Sequence, residues 1–223
     1  MSHKKEELSY GIIGLGRFGS ALAKELASAG KEVIVVDSNE NIVRELRAYT
    51  EHAFVAGELT KEVLEEIGIN NCDTVIVCIG QKIDRSILVT LNVVNLGVRR
   101  VIAKAISAEQ GAVLEKLGAE VVYPERDMAL RLAKKLLMTS VMDYISLHNN
   151  MEIAEVKVAK AAHGISVINL NTRQKYGVNI IAIEHQGKTD IEINPEYIVN
   201  TGDILVVIGR SENIKRFEEE LTS

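Results

Sequence analysis

Residues 10–19 read Tyr10-Gly11-Ile12-Ile13-Gly14-Leu15-Gly16-Arg17-Phe18-Gly19, an apolar run that leads into glycines spaced GxGxxG. The run predicts a strand, and the apolar spacing after it predicts a helix. Gly14 allows a tight turn, Gly16 lets the backbone approach a phosphate, and Gly19 lets the helix pack closely on the strand. The helix N-terminus adds unpaired N–H groups and partial positive charge. This segment therefore predicts a site for the phosphates of an adenine nucleotide.

Two charged residues refine that site. Asp37 follows the apolar run Val33–Val36 and lies eighteen residues past Gly19. A carboxylate there accepts hydrogen bonds from ribose hydroxyls and repels a 2′-phosphate, so NADP is disfavoured. Arg17, inside the loop, suits a phosphate chain longer than a pyrophosphate. The alternatives are a solvated arginine at a helix start and a plain glycine turn with Asp37 as a helix cap.

Short apolar runs alternate with amphipathic segments over the first part of the chain. Several of the runs have no polar alternation, which is typical of strands buried on both faces of a parallel sheet. The pattern predicts an α/β fold, a Rossmann-type doubly wound parallel sheet. The predicted strands are Tyr10–Leu15, Val33–Val36, Ala53–Ala56, Val75–Ile79, Val101–Ala105 and Val121–Tyr123.

The pattern changes after about residue 140, where short strands and turns replace the βα units. We predict a Rossmann nucleotide-binding domain over residues 8–140, with a crossover helix at about 126–140, and a small C-terminal α+β module over residues 141–223. The wide apolar face of the crossover helix either packs on the sheet edge or forms a dimer. Predicted elements of the second module are strands Val178–Ile183, Ile191–Ile193 and Ile204–Ile208, a short helix Val167–Tyr176 and a final helix Glu212–Leu221.

Composition excludes several classes of protein. The net charge is -5 and the basic clusters are short, which argues against a nucleic-acid partner. Two cysteines are too few for a disulfide scaffold and favour reducing cytosol. No apolar stretch is long enough to span a bilayer, and the polar N-terminus lacks the apolar core of a signal peptide.

The sequence predicts no enzymatic activity. None of the five histidines follows the fourth or fifth strand, where a dehydrogenase would need an acid–base residue. Zinc-site spacing, GxSxG and P-loop motifs are absent from the sequence. The second module is also small for a substrate domain. A nucleotide-binding regulator fits these features better than a dehydrogenase.

Motifs along nearly the whole chain are similar to the cytoplasmic regulatory subunits of Ktr/Trk-type potassium transporters, which are RCK proteins with a TrkA-N and a TrkA-C (RCK_C) domain. Arg17 in the loop and the segment Pro124-Glu125-Arg126-Asp127-Met128 are the most specific. The other motifs are Val33–Asp37, Val75–Gly80, Lys104-Ala105, Leu114–Ala119, Leu170–Gly177 and Gly202–Leu205.

The resemblance implies a cytoplasmic gating ring, usually an octamer of four dimers. It also implies that this ring docks on the cytoplasmic face of an integral membrane potassium-translocating subunit. It implies that ATP favours the active ring and ADP the inactive one, with NAD(H) bound by some members. An NAD(H)-binding redox sensor of the same fold and a small NAD-dependent dehydrogenase remain as alternatives.

The resemblance also assigns site residues. Glu125 is implied to lie at the dimer interface near the partner's nucleotide, in some members with a monovalent or divalent cation. Many relatives carry Asp or Asn at the position of Gly57, and some carry His at the position of Gln110. The implied nucleotide-site residues are Gly14, Gly16, Arg17, Phe18, Gly19, Asp37, Ser38, Gly57, Glu58, Ile79, Gly80, Lys104, Gln110 and Glu125.

The second module resembles the part of many Ktr subunits that binds cyclic di-AMP. Arg173 is implied to meet a phosphate, with Ile180 and Pro195 as apolar walls. A solvated helix arginine is the alternative for Arg173.

Overall fold

The computed structural model describes residues 8–137, 141–147 and 149–222. The predicted end of the crossover helix at residue 140 lies outside these residues. The chain divides into two compact units, residues 1–128 and 129–223, each with its own core. No helix in the described ranges combines the length and apolarity that crossing a bilayer requires.

The first unit is a parallel sheet of six strands in the order β3-β2-β1-β4-β5-β6. This arrangement, with helices between the strands, confirms the predicted doubly wound fold. Its strands are β1 Ser9–Ile13, β2 Glu32–Asp37, β3 Ala53–Val55, β4 Thr74–Val77, β5 Arg100–Lys104 and β6 Glu120–Val122. Its helices are α1 Arg17–Ser28, α2 Glu40–Leu46, α3 Lys61–Ile67, α4 Ile83–Asn95 and α5 Ala108–Lys116, and α6 Pro124–Leu137 follows β6.

The sheet is buried on both faces, which explains why its strands read as unbroken apolar runs. All four residues of β4 are buried. Val75 and Val77 belong to one core cluster, whereas Ile76 between them belongs to another. Because successive side chains of a strand point to opposite faces, each face has its own core.

The strand order reverses between β1 and β4, so a crevice forms between the carboxyl ends of these neighbouring strands. The loops that follow the strands open onto this edge of the sheet. Gly14 follows β1, Asp37 ends β2, and Lys104 ends β5. The parallel topology therefore gathers residues that are far apart in the sequence.

The second unit is an antiparallel sheet in the order β10-β9-β11-β8-β7 with short helices, in agreement with the predicted α+β module. Burial alternates along β8 and β11, as expected when only one face of a sheet is covered. Its strands are β7 Val141–Ser146, β8 Met151–Lys157, β9 Asn179–His185, β10 Lys188–Asp190 and β11 Ile204–Arg210. Its helices are α7 Val167–Leu170, α8 Thr172–Tyr176 and α9 Ser211–Thr222.

Two local predictions for this unit are wrong. The strand expected at Ile191–Ile193 lies earlier, at β10. After the tight turn at Gln186-Gly187, Lys188 already pairs with His185 of β9. Ile191 falls beyond the pairing and its side chain is 77% exposed. The single helix expected over Val167–Tyr176 is two helices, separated by Asn171 with a φ of 47°.

A buried carboxylate organises the loop before β11. Asp203 is 2% exposed and accepts hydrogen bonds from Tyr197 Oη at 2.8 Å and the Asn200 N–H at 2.9 Å. Its other oxygen lies 2.6 Å from His185 Nδ1. Burial acts to raise the pKa of Asp203, but the hydrogen bonds from His185, Asn200 and Tyr197 outweigh it and hold the pKa below its usual range.

We expect Asp203→Asn to destabilise the protein by about 2 kcal/mol near neutral pH, because one charged acceptor is lost inside a buried network. Since the pKa of Asp203 is lower in the folded state, its contribution is present above the unfolded-state pKa and is lost as pH falls towards the folded value. Denaturant unfolding between pH 7 and pH 3 should show the difference between the two proteins shrinking with acidity. Glu196→Gln, the same change of charge at an exposed position, is the control. A difference independent of pH would contradict the prediction.

Candidate functional site

A cleft of about 200 Å³ opens at the carboxyl edge of the parallel sheet. Six of the predicted site residues line it: Gly14, Gly16, Asp37, Ser38, Ile79 and Gly80. Its other lining residues are Val36, Leu59, Cys78, Gln81, Lys82 and Arg85. Burial raises the pKa of the Cys78 thiol to about 12, so Cys78 is a small apolar wall residue.

The glycines shape the loop as their predicted roles require. Gly14 has a φ of 94°, a conformation that L side chains rarely adopt. A Cβ on Gly19 would collide with the Gly14 carbonyl oxygen, so α1 packs against the loop more closely than any other residue permits. Gly16 caps α1 and is exposed, and a methyl group added to it would meet no atom within 4 Å. The open backbone at Gly16 is therefore the place where a ligand can approach.

Asp37 holds the glycine loop in place. Its Oδ2 accepts a hydrogen bond from the Leu15 N–H at 2.6 Å, and its Oδ1 accepts one from the Asn39 N–H at 2.8 Å. Each carboxylate oxygen has a second lone pair, so Asp37 can accept from a ribose hydroxyl and keep the loop fixed.

Positive charge collects beside the loop. Lys104 is 9% exposed, and its ammonium group donates to Glu125 Oε1 and lies 5.9 Å from the centre of the Phe18 ring. The hydrogen bond from Lys104 and the more distant charge of Arg17 hold the pKa of Glu125 below its usual range. Arg17 begins α1, is exposed, and makes no side-chain hydrogen bond to the residues that the structure describes. This guanidinium is thus available to an anion.

Other predicted residues lie beside the cleft or away from it. Gln110 is buried: its amide oxygen accepts from the Ile106 N–H at 2.9 Å and its amide nitrogen donates to Ser86 Oγ at 3.2 Å. The structure therefore uses Gln110 to join α4 to α5. Gly57 and Glu58 line an adjoining groove, and Glu125 lines a pocket with Tyr123.

Besides Val36 and Cys78, four lining residues escaped the sequence prediction: Leu59, Gln81, Lys82 and Arg85. Leu59 lies in the loop after β3, and the others follow the carboxyl end of β4. The parallel topology accounts for their position, because every loop after these strands opens onto the same edge of the sheet. Among the described residues, no three His, Cys, Asp or Glu side chains cluster in a way that could hold a metal ion.

In the second unit, the three predicted ligand residues lie on different segments. Arg173 is exposed on α8, Ile180 is half-buried on β9 against the core, and Pro195 is exposed in the loop after β10. The Pro195 carbonyl accepts a hydrogen bond from the Ile168 N–H at 2.9 Å, which ties that loop to α7.

The chain is similar to known proteins over nearly its whole length. The TrkA-N domain matches residues 10–124 and the TrkA-C domain matches residues 151–222. Ktr system potassium uptake protein A of Bacillus subtilis (strain 168) is 39% identical over 212 residues, covering 95% of this chain and 96% of that protein. Ktr system potassium uptake protein C of the same organism is 37% identical, with 98% of both chains covered.

Among solved structures, the GsuK channel bound to NAD matches with a TM-score of 0.52 and 25% identity. The match covers 97% of this chain but 39% of the GsuK chain, so this protein spans well under half of that channel's length.

We expect Gly19→Ala to lower the free energy of unfolding by about 3 kcal/mol or more, because the added methyl group meets backbone that cannot move aside. Gly16→Ala, on the same loop, is the matched control: its methyl group meets nothing and its φ of -64° suits alanine. Denaturant unfolding without ligand measures both. Equal stability of the two variants would show that the close approach of α1 to the loop is not a constraint.

Proposed function

We propose that this chain, which belongs to the TrkA-N/TrkA-C (RCK) family as its motifs predicted, is the cytoplasmic nucleotide-sensing subunit that gates a membrane potassium transporter. Residues 8–140 form its nucleotide-binding domain and residues 141–223 its regulatory module. The subunit performs no chemistry of its own. A nucleotide that binds two conformations unequally shifts their populations and so changes transport.

The exposed arginine in the phosphate loop is the observation that carries the choice of ligand. Arg17 and the free N–H groups at the start of α1 face the same edge as the cleft, and Lys104 adds a second cation nearby. A triphosphate offers more charge to these groups than a diphosphate does. We therefore assign ATP and ADP as the ligands, with ATP favouring the active form.

NAD(H) is the second candidate ligand. The GsuK channel, whose structure holds NAD, is 25% identical over nearly all of this chain. Asp37 suits the ribose hydroxyls of either ligand. In this alternative the subunit reports the redox state of the cell and does not report its ATP level.

The partner is an integral membrane potassium-translocating subunit of the Ktr/Trk type, bound at the inner face of the membrane. Both Bacillus subtilis relatives carry the name of a potassium uptake system. The subunit associates with itself into dimers and a ring. The exposed apolar residues of α6 support the dimer contact: Met128, Leu130, Leu132 and Leu136 are 54–74% exposed. Glu125, in the first turn of α6, is the proposed contact to a partner's nucleotide, with or without a cation.

The second module is the proposed site for a further regulatory ligand, cyclic di-AMP. Arg173 supplies an exposed guanidinium for a phosphate, and Ile180 and Pro195 supply apolar surface. Arg173 lies in the short helix α8 that leads directly into β9, which carries Ile180.

We expect Arg17→Ala to weaken ATP binding by about tenfold and ADP binding by a smaller factor, because the third phosphate loses a charge-assisted hydrogen bond. Calorimetric titration of the full chain with ATP, ADP and NADH measures this and ranks the ligands. Arg100→Ala removes a guanidinium at the opposite, amino end of β5 and should change neither affinity.

Equal losses of ATP and ADP affinity in Arg17→Ala would rule out a contact with the third phosphate. If the unsubstituted chain binds NADH much more tightly than ATP, the redox sensor is favoured over the ATP/ADP sensor.

We expect the protein to form dimers or larger rings at micromolar concentration through the region Val113–Leu137. Leu136→Glu should shift it towards smaller species, because burying a charge in an apolar contact costs free energy. Light scattering measures the mass. Val55→Glu, a similar change at an exposed residue of β3, is the control. A monomeric unsubstituted chain would contradict the proposed assembly.

A further inference from the structure

We infer that Arg85 is a base-binding residue of the cleft: its guanidinium covers the adenine of a bound nucleotide and supplies a contact that Gly57, which has no side chain, cannot make. This inference rests on the proposed binding of an adenine nucleotide. It concerns a residue that the motifs of the chain did not single out.

Arg85 spans two segments at the mouth of the cleft. It lies in the first turn of α4 and its Nη2 donates a hydrogen bond to the Gly57 carbonyl, 28 residues earlier, at 2.7 Å. The same side chain lines both the nucleotide cleft and the groove that carries Gly57 and Glu58. Arg85 thus belongs, with Leu59 and Lys82, to the partition between the two spaces.

The remaining walls of the cleft place the base next to this partition. In the proposed site, Gly14 and Gly16 before α1 bind the phosphates, and Asp37 and Ser38 at the end of β2 bind the ribose. Apart from the strand-end residues Val36 and Cys78, the walls left over are Leu59, Ile79, Gly80, Gln81, Lys82 and Arg85. They combine apolar surface with a planar cation, which is the combination that binds the face of an aromatic base.

Gly57 has no side chain and is exposed, so it can offer a ligand nothing except its backbone. Its carbonyl is taken by Arg85. This bond restrains the guanidinium, whose other donors make no hydrogen bond to the residues that the structure describes and can meet a ligand. Arg85 therefore supplies the polar group at this edge of the cleft, where residue 57 has no side chain to supply one.

Substitution of Asn92 is the control that distinguishes a ligand contact of Arg85 from a purely structural role. About two turns further along the same helix, Asn92 ties the same loop by donating from Nδ2 to the Leu59 carbonyl at 3.0 Å. Asn92 lines the groove but not the cleft. Its removal loosens the loop without removing a group from the wall of the nucleotide site.

The test is calorimetric titration of the full chain and of Arg85→Ala, Arg85→Lys and Asn92→Ala with ATP and with ADP. We expect Arg85→Ala to weaken both ligands by about tenfold and to leave the ratio of the two affinities unchanged within about twofold. Arg85→Lys keeps the charge but not the planar fork, so it should stay at least about threefold weaker than the unsubstituted chain. Asn92→Ala should stay within about twofold.

Full affinity in Arg85→Ala or Arg85→Lys, an equal loss in Asn92→Ala, or a changed ratio of ATP to ADP affinity would each overturn the role of Arg85. Circular dichroism checks the fold, and Arg85→Gln replaces Arg85→Ala if the alanine variant is unfolded. If the unsubstituted chain binds neither ATP nor ADP, the proposed function itself fails. If instead the unsubstituted chain and the Arg85 variants bind equally well, the proposed function stands and only the role of Arg85 fails.

Discussion

The start of α1 lies against the glycine loop at a distance that leaves no room for a side chain at Gly19. The loop can hold this position because Asp37, at the end of the neighbouring strand β2, accepts a hydrogen bond from the Leu15 N–H. These two constraints aim the unpaired N–H groups of α1 at the crevice between β1 and β4. The cleft, the direction of α1 and the placement of Arg17 all depend on them.

The charges around the cleft are arranged unequally. Lys104 is almost buried and is already paired with Glu125, whereas Arg17 is exposed and makes no side-chain hydrogen bond to the described residues. In the proposed sensor, a bound phosphate therefore interacts first with Arg17 and competes with Glu125 for Lys104. Because Glu125 belongs to the first turn of α6, a change in that ion pair acts on the helix that also carries the exposed leucines. This gives the proposed sensor a physical link between ligand and assembly.

The base side of the cleft is built differently from the phosphate side. The phosphate side is mostly backbone, rigid because glycine conformations and the half-buried Asp37 carboxylate fix it. The proposed base side consists of residues from the loops after β3 and β4 and from α4, and Arg85 and Asn92 join α4 to backbone carbonyls of the first loop. Side chains can change between related proteins without disturbing a fold, so this is where differences in ligand preference are expected to arise.

The sequence by itself determined the parallel sheet, because strands buried on both faces need unbroken apolar runs, and it determined the phosphate loop, because only glycine fits at Gly14 and Gly19. It also indicated Arg17, which lies inside that loop, and Asp37, which follows it at a typical distance. It could not place Gln110, whose buried amide joins two helices, or find Arg85, whose partner Gly57 is remote in the chain. It misplaced the strand after Gln186-Gly187, because the turn decides where pairing begins. Contacts between distant segments depend on how strands are ordered and how loops meet at one edge, and only the tertiary structure decided those.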